Sequence, residues 1–163
     1  MSDRDLWRSS IHVAILHPER PAFLVEQADG AWRLPVMPVE RMWEKPIGSV
    51  NDATSAALGL STTALLLLHG QRDEANSIAY RLYGLENHSP DWQPPAGMRW
   101  AGAAELGGLE WALPGQQPAL ESWLGELESG AIPPLRPPWA RLGWYAEASA
   151  WIAAELELSL IHI

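Results

Sequence analysis

The chain has no cysteine, a single lysine and a single phenylalanine, and none of its apolar runs approaches the length of a membrane span. Each shortage removes something. Without cysteine there are no disulfides, thiolate zinc sites, iron–sulfur clusters or cysteine nucleophiles, and no mark of an oxidising, secreted design. The longest uninterrupted apolar stretch, Ala64 to Leu68, falls far short of the ~20 residues that cross a bilayer. Positive charge is scarce as well, with eleven Lys plus Arg against twenty Asp plus Glu and a net charge of −9. A chain without a basic patch cannot displace counterions from nucleic acid or an anionic membrane, so neither partner is expected. The N-terminus carries Asp3 and Asp5 where a signal peptide is basic, and no apolar run follows them. A cytoplasmic location is expected.

What is present is 163 residues, the length of one domain with an appended segment, and ten tryptophans. Excess Trp and Arg with almost no Lys or Phe points to GC-rich codons. His12–Leu16 and Ala22–Gln27 read as strands, and Asp29-Gly30 predicts a hairpin turn that returns through Trp32–Pro35. The period then changes: Pro46 opens a helix, Ile47, Val50, Thr54, Ala57 and Leu58 recur at helical spacing, and Gly59 closes it. Thr62–Leu68 and Ser77–Leu85 are expected strands, separated by a polar turn around Gln71–Glu74. A proline-bearing loop spans Asn87–Gly97, a short strand follows at Met98–Ala101, and Gln117–Ser129 is a clear amphipathic helix with Leu120, Trp123, Leu124 and Leu127 on one stripe. Four prolines between Ile132 and Pro138 predict a stiff connector. Beyond it, Trp144, Ala148, Trp151, Ile152 and Leu156 recur at helical spacing, and the residues to Ile163 stay apolar. Such an ending is expected of a truncated chain or a non-native tail. The expected organisation is therefore a domain over 1–130, a proline-rich connector over 131–143, and a helix with tail over 144–163, the last being a candidate start of a second domain.

Strand, hairpin, Leu-Pro, a short helix ending in Gly-Leu, two strands, a proline loop and a closing helix resemble the Nudix fold, an α/β/α sandwich around a mixed β-sheet; the expected class is thus α/β (α+β) with an added C-terminal helix. Trp32-Arg33-Leu34-Pro35 looks like that family's W-x-L-P lead-in. The family's box, G-x5-E-x7-R-E-U-x-E-E-x-G-U with U aliphatic, can be anchored on Gly59-Leu60. Its opening Gly then falls on Pro38, its first Glu on Glu44, its Arg-Glu on Asp52-Ala53 and its Glu-Glu on Ala56-Ala57. In the family these carboxylates bind divalent cations, and the metal activates a water to attack a diphosphate. Alanine neither ligates a cation nor takes a proton. The resemblance therefore implies the scaffold without its hydrolysis, and no cofactor. Pro138–Trp151 also resembles the connector that joins a degenerate Nudix-like domain to an aminoglycoside-phosphotransferase-type kinase in some bacterial proteins, which implies a following kinase-like domain as partner.

Glu44 is the remnant of the box, and Glu40 stands four residues before it as a weak candidate for a cation. The alternative expectation is a Mg²⁺-dependent pyrophosphohydrolase of a nucleoside-diphosphate-type substrate that uses displaced acids among Glu40, Glu44 and Glu74. Another is a stand-alone interaction domain. The histidines at 12, 17, 69, 88 and 162 have no metal-binding spacing, and His69-Gly70 reads as a strand-end turn. Trp32, Trp100 and Trp123 are expected in the core, whereas Trp92 and Trp111 are candidate lining residues for a small-molecule or nucleotide ligand. Trp139, Trp144 and Trp151 are candidate partner-binding residues. Through residues 139–158 the isolated chain is expected to self-associate or fray unless that helix folds back.

Overall fold

The computed structural model describes residues 7–39 and 46–161, and the chain divides into two compact units, up to Ala131 and from Ile132 onward. In the first unit the strands are β1 (Arg8–Ile15), β2 (Ala22–Ala28), β3 (Ala31–Arg33), β4 (Val36–Met37), β5 (Thr62–Asp73), β6 (Ile78–Asn87) and β7 (Met98–Gly102). Helix α1 (Pro46–Leu58) lies between β4 and β5, and α2 (Gln116–Ser129) follows a 3-10 turn at Ala103–Gly108. A mixed sheet has the order β4-β1-β6-β5, with β1 parallel to β6 and the outer pairings antiparallel; a smaller antiparallel sheet has the order β3-β2-β7. This is the α/β/α sandwich expected from the element order.

Parallel strands at the middle of a sheet are covered on both faces, and β1 shows how. Ile11, Val13 and Ile15 project to one side with Val50 and Leu60 of the α1 segment, while Ala14 projects to the other with Leu120, Trp123 and Leu124 of α2. Both helices begin and end where the residues dictate. α1 starts at Pro46, and Gly59 adopts φ +67° as its N–H donates to the Ser55 carbonyl at 2.9 Å. α2 ends at Gly130 with φ +66°. The hairpin between β2 and β3 turns on Asp29 (φ +51°) and Gly30 (φ +82°), the left-handed pair that an Asp-Gly hairpin requires.

Three expectations are corrected. β5 runs five residues further than its apolar run suggests, so Gln71, Arg72 and Asp73 are strand, and the turn lies beyond Asp73, with Ser77 at φ +53°. Polar side chains at the open end of a hairpin signal exposure rather than a turn, because the backbone ladder is indifferent to them. His69 accordingly sits inside β5 and not at its end. Trp32–Pro35 is not one strand: β3 stops at Arg33, and the chain then pairs with β1 through Val36 and Met37, a two-residue strand that periodicity does not reveal.

The second unit holds a short 3-10 turn at Pro138–Ala140 and helix α3 (Trp144–Ile161). Trp139 is 58 % exposed and Trp151 65 %, while Trp144 is half-buried. Among the described residues no helix is long and apolar enough to cross a membrane.

Packing across the sheet leaves one position without room. A Cβ at Gly84 on β6 would lie 2.6 Å from Cη2 of the Trp123 indole, so the ring lies directly on the strand backbone. Gly84→Ala is expected to cost about 1–3 kcal/mol through overpacking, read as a lower urea midpoint with an unchanged slope.

Candidate functional site

The face of α1 that the Nudix resemblance marks for chemistry is built from small side chains. Val50 and Thr54 point into the core, where Thr54 Oγ1 donates to the Val50 carbonyl at 2.8 Å; Asn51 Oδ1 accepts the Ala64 N–H at 2.8 Å and ties the helix to β5. Ala53 packs against the apolar cluster beneath, and Asp52, Ala56 and Ala57 are exposed. Methyl groups thus stand at the three positions where a cation would need Glu oxygens. Among the described residues no three His, Asp or Glu side chains converge to hold a metal ion. Glu40 and Glu44 lie outside the described residues. Glu74 is exposed past the end of β5. From Ala64, which Asn51 touches, to Asp73 the strand extends about 30 Å at ~3.3 Å per residue, so Glu74 does not share a site with the middle of α1.

On the opposite face, β1, β3 and the loop before α2 enclose a cavity of about 90 Å³ lined by His12, Arg33, Glu110, Trp111 and Gln116 among others. Glu110 N–H donates to the Trp32 carbonyl at 2.8 Å, which docks the loop on β3. Trp111 follows, its Nε1 donating to the Leu106 carbonyl at 3.2 Å. Arg33 is held from the other side, with Nε donating to Glu26 Oε1 at 3.1 Å across the β2–β3 pair. Gln116, in the first turn of α2, is 1 % exposed, and its Nε2 has no hydrogen-bond partner among the described residues. A buried amide without a partner costs about 1–3 kcal/mol, so its placement beside a cavity marks the place where an acceptor is wanted.

His12 completes the cavity. Its Nε2 is hydrogen-bonded to Ser10 Oγ at 3.1 Å, and the ring stacks on Tyr80 with centroids 6.4 Å apart. Burial, and then the Arg33 charge, lower its pKa from 6.5 to about 4. The imidazole is therefore neutral near pH 7 and offers a ring without a second cation beside Arg33. A wider open hollow of about 440 Å³ lies over Ser9, Val36, Pro38 and Ile78, with Arg8 the charged residue of its wall among the described residues.

The expected lining tryptophans separate. Trp111 is at the cavity, whereas Trp92 belongs to the α1 side, where its Nε1 donates to the Leu58 carbonyl at 2.8 Å and its ring meets Trp100 edge-on at 6.0 Å. Trp92 thus caps the end of α1. Of the expected core tryptophans, Trp123 is 2 % exposed, while Trp32 and Trp100 are half-buried against the two clusters. Sequence reading missed His12, Arg33 and Gln116, which come from three distant segments; a Gln one residue before an expected helix start was the only local cue.

The His12 shift has a measurable sign. A histidine whose folded pKa is depressed favours the native state fully above its unfolded value of 6.5 and loses that advantage as pH falls toward about 4. Between pH 7 and pH 5 this one group removes about 2 kcal/mol of stability. His12→Gln is expected to flatten that part of the pH dependence, measured as urea midpoints at the two pH values for both proteins.

No protein-family model matches the sequence, and no curated protein matches it. Solved structures do. A NUDIX hydrolase from Nitrosomonas europaea is 17 % identical over 74 % of this chain and 73 % of that chain, with a TM-score of 0.54. The E. coli ORF135 protein is 18 % identical over 78 % of this chain and 96 % of its own, with a TM-score of 0.52. The C-terminal domain of mouse MUTYH, solved in complex with human PCNA, is 17 % identical over 76 % and 90 %, with a TM-score of 0.51. At such identities the likeness is one of architecture: the chain has the Nudix fold.

Proposed function

We propose that this chain is a non-hydrolytic Nudix-fold recognition or regulatory module, positioned before a phosphotransferase-type domain. The observation that carries the reading is the set of methyl groups on α1. A helix can keep its place on the sheet with any residue on its outer face, but metal-assisted attack on a diphosphate needs several carboxylate oxygens together. Ala53, Ala56 and Ala57 supply none.

What remains is a scaffold with a small polar cavity on its other face. The neutral His12, the Trp111 ring and the Gln116 Nε2 suit holding one small polar group, since a cavity of about 90 Å³ is smaller than the roughly 300–1,000 Å³ of pockets that enclose a whole ligand. The docking half of the reading is supported by the exposed Trp139 and Trp151, residues of the type that anchors interfaces. A domain of this fold stands in complex with another protein in the MUTYH–PCNA structure, which supports a partner-binding use of the same architecture.

The chemistry is tested with Mg²⁺ or Mn²⁺ and a panel of nucleoside-diphosphate-linked substrates. Product release at the level of the protein-free blank is expected. Mg²⁺-dependent release that disappears in Glu44→Gln would establish the hydrolase instead. The phosphotransferase link is read from the gene: an open frame continuing into a kinase with its own catalytic loop is expected, and an immediate stop codon refutes that half of the proposal.

A further inference from the structure

The outer strand of the four-stranded sheet carries an irregularity with a symmetry of its own. β5 pairs with β6 on one side, and among the described residues no strand pairs with its other edge. Native edges are shielded from stray pairing by charge, proline or bulges. Between Ser61 and Gln71 this edge has no Asp, Glu, Lys, Arg or Pro. It has two bulges instead, which place Leu65 and Leu68 as extra residues against β6.

The two bulges fix which side of the sheet each residue faces. Ala64 belongs to the α1-side cluster, and Leu67 shares that side because it stands opposite Tyr83. Leu65 belongs to the α2-side cluster, and Leu66 and Leu68 pack against it. His69 stands opposite Leu82 of that same cluster, and its ring lies under Gly115 at the start of α2. Gly70 and Arg72, opposite Arg81 and Ala79, return to the α1 side, as Thr62 does opposite Asn87; Thr63 and Gln71, opposite Glu86 and Tyr80, face α2.

Read outward from Leu67 in both directions, the order of sides is the same. Leu66 and Leu68 face α2, then Leu65 and His69 face α2, then Ala64 and Gly70 face α1, Thr63 and Gln71 face α2, and Thr62 and Arg72 face α1. A regular strand laid on this edge changes side twice relative to it. An antiparallel copy of the same strand, related by a two-fold axis through Leu67, matches it at every pair.

We propose that β5 is a homodimer interface, in which a second copy of this chain pairs antiparallel about Leu67 and joins the two four-stranded sheets into one. The side chains agree with the backbone. Leu67, 49 % exposed in the single chain, meets its own counterpart; Leu66 meets Leu68, and Arg72 meets Thr62, so no like charges oppose each other. Two chains of net charge −9 repel across most approaches, and this edge lets them meet without a charged residue from Ala53 to Gln71. Leu16 N–H donates to the Leu85 carbonyl, so Leu85, Tyr83 and Arg81 turn toward β1, and their partners Ala64, Leu67 and Gly70 turn their backbone groups to the free edge; because Asn51 already holds the Ala64 N–H, the new ladder concentrates at Leu67 and Gly70.

Sedimentation equilibrium of the full chain is expected to give twice the 18.0 kDa of one copy. Leu67→Lys, at an exposed position, is expected to restore the single-chain mass with unchanged circular dichroism, whereas Trp151→Ser on α3 leaves the dimer intact. Amide exchange at Leu67 and Gly70 is expected to slow as protein concentration rises, a readout that requires no variant. A single-chain mass at all concentrations overturns the proposal. So does a dimer that persists in Leu67→Lys, or one lost in Trp151→Ser, with exchange at Leu67 and Gly70 independent of concentration.

Discussion

A sheet whose middle strands are parallel must be covered on both faces, and that requirement organises the first unit. β1 and β6 alternate between two apolar clusters, one closed by α1 and the other by α2. Neither helix is optional, since removing either exposes half of the buried side chains of the central strands. The demand on α1, however, concerns only its inner stripe. Val50, Thr54 and Leu60 satisfy it, and the outer face is left to whatever the protein's work requires.

That division lets the Nudix architecture stand with Ala53, Ala56 and Ala57 on α1. The fold is specified by inward residues, the chemistry by outward ones, and the two sets change independently. The β5 edge from Ser61 to Gln71 carries no Asp, Glu, Lys or Arg on a strongly negative chain, and an uncharged edge is one that two such chains can share. The cavity on the other side depends on neither α1 nor this edge. It is assembled from β1, β3 and the loop at α2, and it keeps its polarity through Arg33, Glu110 and Gln116.

The parts legible in the sequence were those with local causes. Pro46 and Gly59 bracket α1, Asp29-Gly30 makes a hairpin, and Leu120, Trp123, Leu124 and Leu127 lie on one stripe of α2, so each element follows from its own residues. The strand β4 was hidden because two residues have no period. The outer part of β5 was hidden because exposed Gln71 and Arg72 resemble turn residues, while their pairing is decided by the neighbouring strand. The cavity was hidden for the same reason on a larger scale: residues 12, 33, 111 and 116 acquire a common purpose only after β1, β3 and α2 have packed. Trp92, by contrast, has a plain structural task at the end of α1, which its place in a loop did not disclose.

The claim on which the account rests is that α1 of this Nudix fold no longer assembles a cation site. Electron paramagnetic resonance of Mn²⁺ tests it without any assumption about substrate, because the free ion's six-line signal falls when protein oxygens bind it. With one equivalent of the chain at micromolar concentration, the account predicts an unchanged free-ion signal. A stoichiometric loss of that signal, restored by excess Mg²⁺ and abolished in Glu44→Gln, would contradict it.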